Sequence, residues 1–288
     1  MQDYERLFRA YVTNLDQEID NIFLHMPYPS LSVAVSSRMS HRLALMHPSE
    51  DHLFYTPQVT TRWIAYRVAS VAGDQARFSG YQLFRSLSAQ PLLRTSAGWF
   101  FEAYAHEWFR QGGEFQADKL SITAVDDFLQ FTINWSLAEE ERYFANPEHL
   151  CKQVRKTHGY GVEERLIGEY FQPWGRTQES FDGLVLPNAE TLLLLQITLA
   201  LRHEIKTHGV KGILNALPGT IKRICIIFTV PEDRADNYTT PQTAPDPCDL
   251  GPKGTKCTIQ QFRLVFNDRA VQSIALRRIG TQEPYLKI

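Results

Sequence analysis

The sequence predicts an α/β fold with a mixed central sheet and flanking helices. Three stretches in the second half support this prediction. SFDGLVLPNAETLLLLQITLA is typical of an antiparallel hairpin, because two apolar runs flank a Pro-Asn-Ala-Glu turn. THGVKGILNALP follows with helical periodicity, and KRICIIFTVP is a continuous apolar run. Such a run after a crossover helix indicates a strand that is buried on both faces and paired in parallel.

Residues 1–95 are predicted to form a mainly helical accessory segment, interpreted as the remnant of an upstream module. Apolar residues recur at three- and four-residue steps over residues 3–24, which indicates an amphipathic helix. Thr60 or Thr61 is suited to cap a helix through TRWIAYRVASVA, and residues 75–87 also follow a helical pattern. LSVAVSS and HRLALMHP alternate apolar and polar residues, so strands and the flanks of a short helix both remain open.

Residues 96–288 are predicted to form the second domain. It begins with the helix SAGWFFEAYAHEWFRQGGEF, capped by Ser96 and ended by a Gly-Gly pair. DKLSITAVDDFLQFTINWSL alternates and predicts strands, SLAEEERYFANPEHLCKQVR is polar and helical, and LIGEYFQPWGRTQ is interpreted as an aromatic-rich loop. A Pro-rich loop is expected at about 232–256, and TIQQFRLVFN supplies the last strand.

Composition narrows the class of protein. The chain has 288 residues and a net charge of −2, so bulk charge does not indicate binding to nucleic acid or to an anionic membrane. The N-terminus lacks the layout of a secretory signal, and no apolar run approaches the ~20 residues of a membrane span. The four cysteines form no C-x-x-C pair, which favours free thiols, although Cys248 and Cys257 could pair if oxidised. An intracellular protein, nuclear or cytoplasmic, is expected.

Three polar residues occupy positions where apolar residues would pack better. Glu102 lies in the apolar stripe of its predicted helix, Asp182 opens the first hairpin strand, and Gln196 interrupts LLLLQITLA. Asp182 and Gln196 lie at similar distances from the turn, so we expect them to be neighbours across the hairpin. Alternation places Gln196 and Thr198 on one face of the strand. Because buried polar groups need partners, this set is the candidate site.

A helix carboxylate, a strand aspartate and a polar-x-polar pair on the next strand resemble the PD-(D/E)xK nuclease superfamily. AGWFFEAYAHEWFRQGGEF, SFDGLVL, LLLLQITLA, RHEIKTHGVKGIL and CIIFTVPED are similar to fungal Crinkler and retrotransposon-hot-spot-like (RHS-like) proteins, over roughly residues 96–233. The resemblance implies a restriction-endonuclease-like core and nucleic acid as substrate. In that family a P-loop ATPase module lies upstream, and this chain contains no G-x-x-x-x-G-K-[ST] motif.

The resemblance also implies a metal site. Glu102, Asp182 and Gln196 would bind Mg²⁺ or Mn²⁺, hard cations that prefer oxygen ligands. Such an ion lowers the pKa of an attacking water and stabilises the oxygens of a displacement at phosphorus. The implied function is metal-dependent hydrolysis of DNA or RNA.

Two positions depart from the superfamily pattern. Gln196 replaces a carboxylate, so metal affinity should fall, and Thr198 stands in the position of the lysine, so a positive charge is missing. Lys206 is expected to compensate from the segment after the strand, and His203 is a candidate proton carrier or ligand because its ordinary pKa lies near neutrality. The departures also favour an alternative: a catalytically inactive Crinkler-type effector or protein-interaction module that retains the nuclease fold.

Structural roles for the same residues remain open. Glu102 could pair with an arginine such as Arg110, Asp182 could cap a turn, and Gln196 could be a core amide bonded to the backbone. The histidines are individually typical of structural or exposed positions. An aromatic run ending at Trp174 is suited either to stack on unpaired bases or to plug the core. A basic strip for phosphates is the last candidate, formed by Lys206, Lys211, Lys222 and Arg223.

Overall fold

The structure is a computed structural model of the chain. The residues that the structure describes are 10, 13–14, 17, 44–48, 55–59, 61–71, 81–82, 84–85, 87–89, 94–121, 127–134, 142–154, 162–174, 180–217, 219–244 and 258–278. Several sequence predictions fall outside these ranges: most of the helix over 3–24, the stretch LSVAVSS, and the pairing of Cys248 with Cys257.

The described chain contains both helices and strands. The helices are α1 (Arg62–Val71), α2 (Arg94–Arg110), α3 (Pro147–Val154), α4 (Thr207–Ala216), α5 (Glu232–Ala235) and α6 (Asp268–Arg278). The strands are β1 (Ala44–Pro48), β2 (Tyr55–Val59), β3 (Gly113–Lys119), β4 (Phe128–Ile133), β5 (Tyr143–Phe144), β6 (Tyr170–Pro173), β7 (Gly183–Asn188), β8 (Thr191–Ile197), β9 (Arg223–Pro231) and β10 (Thr258–Phe266).

Eight of the strands form one mixed sheet, in the order β4-β3-β10-β9-β8-β7-β6-β5. β8, β9 and β10 pair in parallel, whereas β7 pairs antiparallel with β6 and with β8. β1 and β2 form a separate antiparallel hairpin. The predicted α/β class with a mixed central sheet is therefore confirmed.

The hairpin, crossover helix and parallel strand follow the predicted order. β7 and β8 are joined by a tight turn in which Asn188 pairs with Thr191. α4 then leads to β9, which runs parallel to β8 from Thr191 beside Arg223 to Ile197 beside Thr229. Every residue of β8 is buried, because the strand has neighbours on both edges and side chains packed on both faces.

A hydrophobic core covers the sheet face that α3 and α4 pack against. Leu192 and Leu194 of β8 join it from one strand, and Ile224, Ile226 and Phe228 join it from the next. The helices contribute further buried side chains: Leu150, Val154, Val210, Ile213 and Leu214. Because strand side chains alternate between faces, Gln196 lies on the same face as Leu192 and Leu194.

The chain forms two compact units, residues 1–107 with 268–288, and residues 108–267. This division falls inside α2, whereas the sequence placed a domain boundary at residue 95, ahead of that helix. The whole eight-stranded sheet belongs to the second unit. α6 belongs to the first unit, which no sequence pattern indicated.

Predicted helix signals are confirmed at two places. α1 occupies the stretch TRWIAYRVASVA, and Thr61 caps it by accepting a hydrogen bond from the Ile64 N–H at 3.3 Å. α2 ends at the predicted Gly-Gly pair, where Gly112 has a φ of 65° that favours glycine.

Other predictions were wrong in detail. α2 begins at Arg94, so Ser96 lies within the helix as a fully buried residue and does not cap it. The aromatic stretch interpreted as a loop contains β6, because Tyr170 and Phe171 pair with β7 and are buried. The start of the predicted Pro-rich loop folds as α5.

Within the described ranges, no helix combines the length and the apolar character needed to cross a membrane.

We predict that Gly183→Ala destabilises the protein by about 1–3 kcal/mol, because the site has no room for a methyl group. A Cβ at Gly183 would overlap the ring of Tyr170, which is 2% exposed. Gly219→Ala is the matched control, because a Cβ there would meet nothing within 4 Å. Urea unfolding measures both variants, and equal stabilities would contradict this packing description.

Candidate functional site

Asp182 and Gln196 are in direct contact. The Gln196 Nε2 donates to the Asp182 Oδ2 at 2.7 Å, and the backbone N–H of Ile197 donates to the same oxygen at 2.7 Å. The predicted neighbourhood of the two residues across the hairpin is therefore confirmed. One carboxylate oxygen fixes both the end of β8 and the orientation of the Gln196 amide.

The hairpin register brings this contact about. Gly183 pairs with Leu195, and the Asp182 N–H donates to the Leu195 carbonyl oxygen at 2.7 Å, so Asp182 stands beside Gln196. Thr198 follows the end of β8, where its Oγ1 accepts the Ala200 N–H at 3.0 Å. Thr198, where the nuclease resemblance would place a lysine, therefore stabilises a turn.

The carbonyl oxygen of Gln196 is the unusual atom of this pair. Gln196 is only 7% exposed, and its Oε1 has no hydrogen-bond partner within the described ranges. A buried acceptor without a partner costs about 1–3 kcal/mol. Because the Nε2 is committed to Asp182, the Oε1 is the atom left to accept from a water or to bind a cation.

Ser180 connects Lys206 to the same hairpin. The Lys206 N–H donates to the Ser180 Oγ at 2.7 Å, and the Ser180 hydroxyl donates to the Lys206 carbonyl oxygen at 3.2 Å. Ser180 has a φ of 76°, an uncommon value for a residue other than glycine. These bonds place the backbone of Lys206, at the start of α4, beside Ser180, which precedes Asp182 by two residues in the chain. The Lys206 side chain is exposed.

His203 lies in the same segment between β8 and α4. Its backbone N–H donates to the Gln242 Oε1 at 2.8 Å, which connects the segment to the stretch after α5. Burial, and secondarily the charge of Lys206, lower the pKa of His203 below its ordinary value. The imidazole is therefore neutral at neutral pH and able to accept a proton.

Glu102 belongs to the first unit and is held there by an ion pair. Its Oε1 pairs with the Arg62 guanidinium, accepts from the Tyr66 hydroxyl at 3.3 Å, and lies 3.5 Å from the His106 Nε2. Arg62 thus takes the place for which the sequence suggested Arg110. Asp182 and Gln196 belong to the second unit. A metal-ligand role for Glu102 stays a prediction.

Two side chains of the second unit carry oxygen atoms of the kind that a hard cation binds. Asp182 offers a carboxylate and Gln196 a buried amide oxygen, both of which are ligands that Mg²⁺ accepts. Across the described part of the chain, no group of three or more His, Cys, Asp or Glu side chains could bind a metal ion. Binding of Mg²⁺ or Mn²⁺ by Asp182 and Gln196 stays a prediction.

Other polar residues take part in structural contacts or are buried. Lys222 donates to the Glu190 Oε1 at 2.5 Å, and Arg223 donates to the Gln260 Oε1 at 2.7 Å, so this part of the basic strip is partnered. Burial raises the pKa of the Cys225 thiol to about 11, so it is protonated at neutral pH.

Two contributors to this arrangement were missed from the sequence. Ser180 organises Lys206 through its hydroxyl, and the Ile197 N–H is half of the Asp182 contact. The sequence signal for Ser180 was its position two residues before Asp182. A backbone N–H carries no residue-specific signal at all.

Comparisons with known proteins add no relative: the chain matches no family model, no curated protein and no solved structure. Functional assignment therefore depends on the residues and their geometry.

We predict that Asp182→Ala lowers the free energy of unfolding by about 1–3 kcal/mol, because two buried donors lose their acceptor. Asp182→Asn should lose much less, since its amide oxygen can still accept both bonds. Asp118→Ala is the control, because Asp118 is half-exposed and pairs with Arg263 at the surface. Chemical denaturation of the three variants tests this, and identical losses for Asp182→Ala and Asp118→Ala would contradict it.

We predict that the imidazole of His203 titrates below the ordinary histidine value of about 6.5. The unfolded chain then binds the proton more readily, so the stability associated with neutral His203 is complete above about pH 6.5 and is lost as the pH falls further. NMR titration of the ring measures the midpoint. In Lys206→Met the midpoint should rise but stay below 6.5, because burial is the larger cause of the lowered pKa. A midpoint above 6.5 in the parent chain would contradict the prediction.

Proposed function

We propose that this chain is a nuclease-like protein: a metal-dependent phosphodiesterase with weakened metal affinity, acting on DNA or RNA. The supporting observation is the Asp182–Gln196 contact, which leaves a buried amide oxygen without a partner next to a carboxylate. The antiparallel hairpin, crossover helix and parallel strand that surround it agree with a restriction-endonuclease-like core. The proposal also includes membership of a Crinkler-like or RHS-like family.

Asp182 and Gln196 would bind the ion. The carboxylate supplies the charge, and the Gln196 Oε1 supplies a neutral ligand whose burial is otherwise uncompensated. When bound, Mg²⁺ or Mn²⁺ lowers the pKa of a water and stabilises negative charge at phosphorus. A single carboxylate attracts a divalent cation less than two would, which accounts for the expected weak affinity.

Lys206 and His203 would supply the remaining chemistry. The ammonium of Lys206 is suited to neutralise charge on a phosphate, because Ser180 fixes its backbone beside the Asp182 segment. His203, with its lowered pKa, is suited to take a proton from an attacking water at neutral pH. Thr198 contributes to neither role, since its hydroxyl accepts the Ala200 N–H.

A second function is favoured by different contacts. The Glu102 carboxylate is ion-paired with Arg62, and one Asp182 oxygen already accepts two hydrogen bonds. Carboxylates that are partnered in this way are typical of a protein that keeps a fold without its catalytic activity. The alternative proposal is a catalytically inactive Crinkler-type effector that binds a protein partner or an upstream ATPase module.

We predict that Gln196→Glu strengthens metal binding, because it restores a carboxylate at the family's acidic position. In EDTA the variant should have a lower Tm than the parent chain, since two carboxylates then repel each other. Mg²⁺ should raise its Tm more than that of the parent and increase cleavage of plasmid DNA and RNA. Thermal unfolding with EDTA, Mg²⁺ or Mn²⁺, alongside cleavage assays, measures both effects.

Gln130→Glu is the matched control, because Gln130 is exposed on β4 opposite Gln116. Asp182→Asn should abolish cleavage while leaving the fold intact. A Mg²⁺-independent Tm in Gln196→Glu, together with no cleavage by any variant, would reject the phosphodiesterase in favour of the inactive effector.

A further inference from the structure

Trp174 is an exposed tryptophan with a fixed backbone. It follows β6 directly and is 75% exposed, whereas Tyr170 and Phe171 of the same run are 2% and 0% exposed. Its N–H donates to the Phe144 carbonyl oxygen at 2.8 Å. Tyr170 and Phe171 are therefore part of the core, and the ring of Trp174 is exposed to solvent.

Trp174 is part of a cluster with Tyr143 and Arg110, here named the aromatic platform. The rings of Trp174 and Tyr143 lie 6.0 Å apart between centroids. The Arg110 guanidinium lies 5.7 Å from the Tyr143 centroid and donates to the Gln172 Oε1 at 2.7 Å. Gln172 is 7% exposed, so a buried amide fixes the position of this cation.

The strand register places the platform near Asp182. Tyr170 pairs with Val185, and Phe171 pairs with Leu184. Because the two strands are antiparallel, the end of β6 that precedes Trp174 lies at the same end of the sheet as the start of β7 that follows Asp182. The platform and the Asp182–Gln196 pair therefore lie at the same end of neighbouring strands.

The chemistry of the platform selects one class of ligand. A flat exposed ring binds another flat ring, and the adjacent guanidinium favours a ligand that carries negative charge. Bases in single strands satisfy both conditions, since each has a π-face and is joined to a phosphate. In a duplex these faces are covered by neighbouring base pairs, so a double strand does not fit a stacking contact.

We propose that the aromatic platform stacks on an unpaired base of a single-stranded nucleic acid whose backbone passes Asp182. The inference gives the proposed phosphodiesterase a substrate class, single-stranded or locally unpaired DNA or RNA, and in that respect depends on it. The binding step itself requires no metal ion.

Binding of fluorescein-labelled oligodeoxythymidylate and oligouridylate, followed by fluorescence anisotropy in EDTA, tests the platform. Trp174→Ala should bind about 5- to 100-fold more weakly than the parent chain, and Trp174→Phe should retain most of the affinity. Trp63→Ala is the matched control, because Trp63 is 42% exposed and also lies beside an arginine, Arg67. The affinity for a labelled duplex of equal length should change little in Trp174→Ala.

Equal affinities of Trp174→Ala and Trp63→Ala for the single strands would overturn the proposal, as would absence of binding by the parent chain. A Trp174-dependent self-association of the chain without oligonucleotide binding would overturn it in favour of a contact between copies. Asp182→Asn separates this inference from the proposed function. This variant should lose cleavage and keep the Trp174-dependent binding. If the parent chain itself binds through Trp174 but shows no Mg²⁺-dependent cleavage, the platform is supported and the phosphodiesterase is rejected.

Discussion

One carboxylate oxygen organises the end of the β7–β8 hairpin. The Asp182 Oδ2 accepts from the Ile197 backbone and from the Gln196 side chain, and this second bond determines which way the amide faces. The Gln196 Oε1 is consequently directed to a buried position without a partner. Ser180, two residues before Asp182, then holds the start of α4, so strand, hairpin and helix meet at this point.

Sequence periodicity was sufficient to predict the central strands and their crossover helix. β8 is apolar apart from its first residue and Gln196, β9 is an almost continuous apolar run, and α4 has a clear helical pattern. Periodicity was insufficient where tertiary pairing decides the structure. β6 is a strand since Tyr170 and Phe171 find partners on β7, and its local sequence is equally typical of a loop. The contact between Asp182 and Gln196 could be predicted from hairpin geometry. The pairing of Glu102 with Arg62 could not, since the two residues are distant in sequence and other arginines were available.

The residues of the site support opposite conclusions about hydrolysis. The neutral amide at Gln196 and the turn role of Thr198 weaken the case for hydrolysis, because both remove charge that a phosphate-transfer site uses. The uncompensated Oε1, the nearby Lys206 and a neutral His203 preserve the components of a metal-dependent reaction. The proposed function is accordingly a weakened hydrolase, in which the ion would be bound loosely and substrate binding would rely on other surfaces such as the aromatic platform.

Paramagnetic broadening by Mn²⁺ in NMR spectra locates such an ion directly. If Asp182 and Gln196 bind the cation, sub-stoichiometric Mn²⁺ should selectively broaden the Gln196 side-chain amide and the Ile197 N–H, and Asp182→Asn should abolish the effect. Broadening that is equally strong in Asp182→Asn, or that is confined to surface carboxylates such as Asp118, would contradict a metal site at this hairpin.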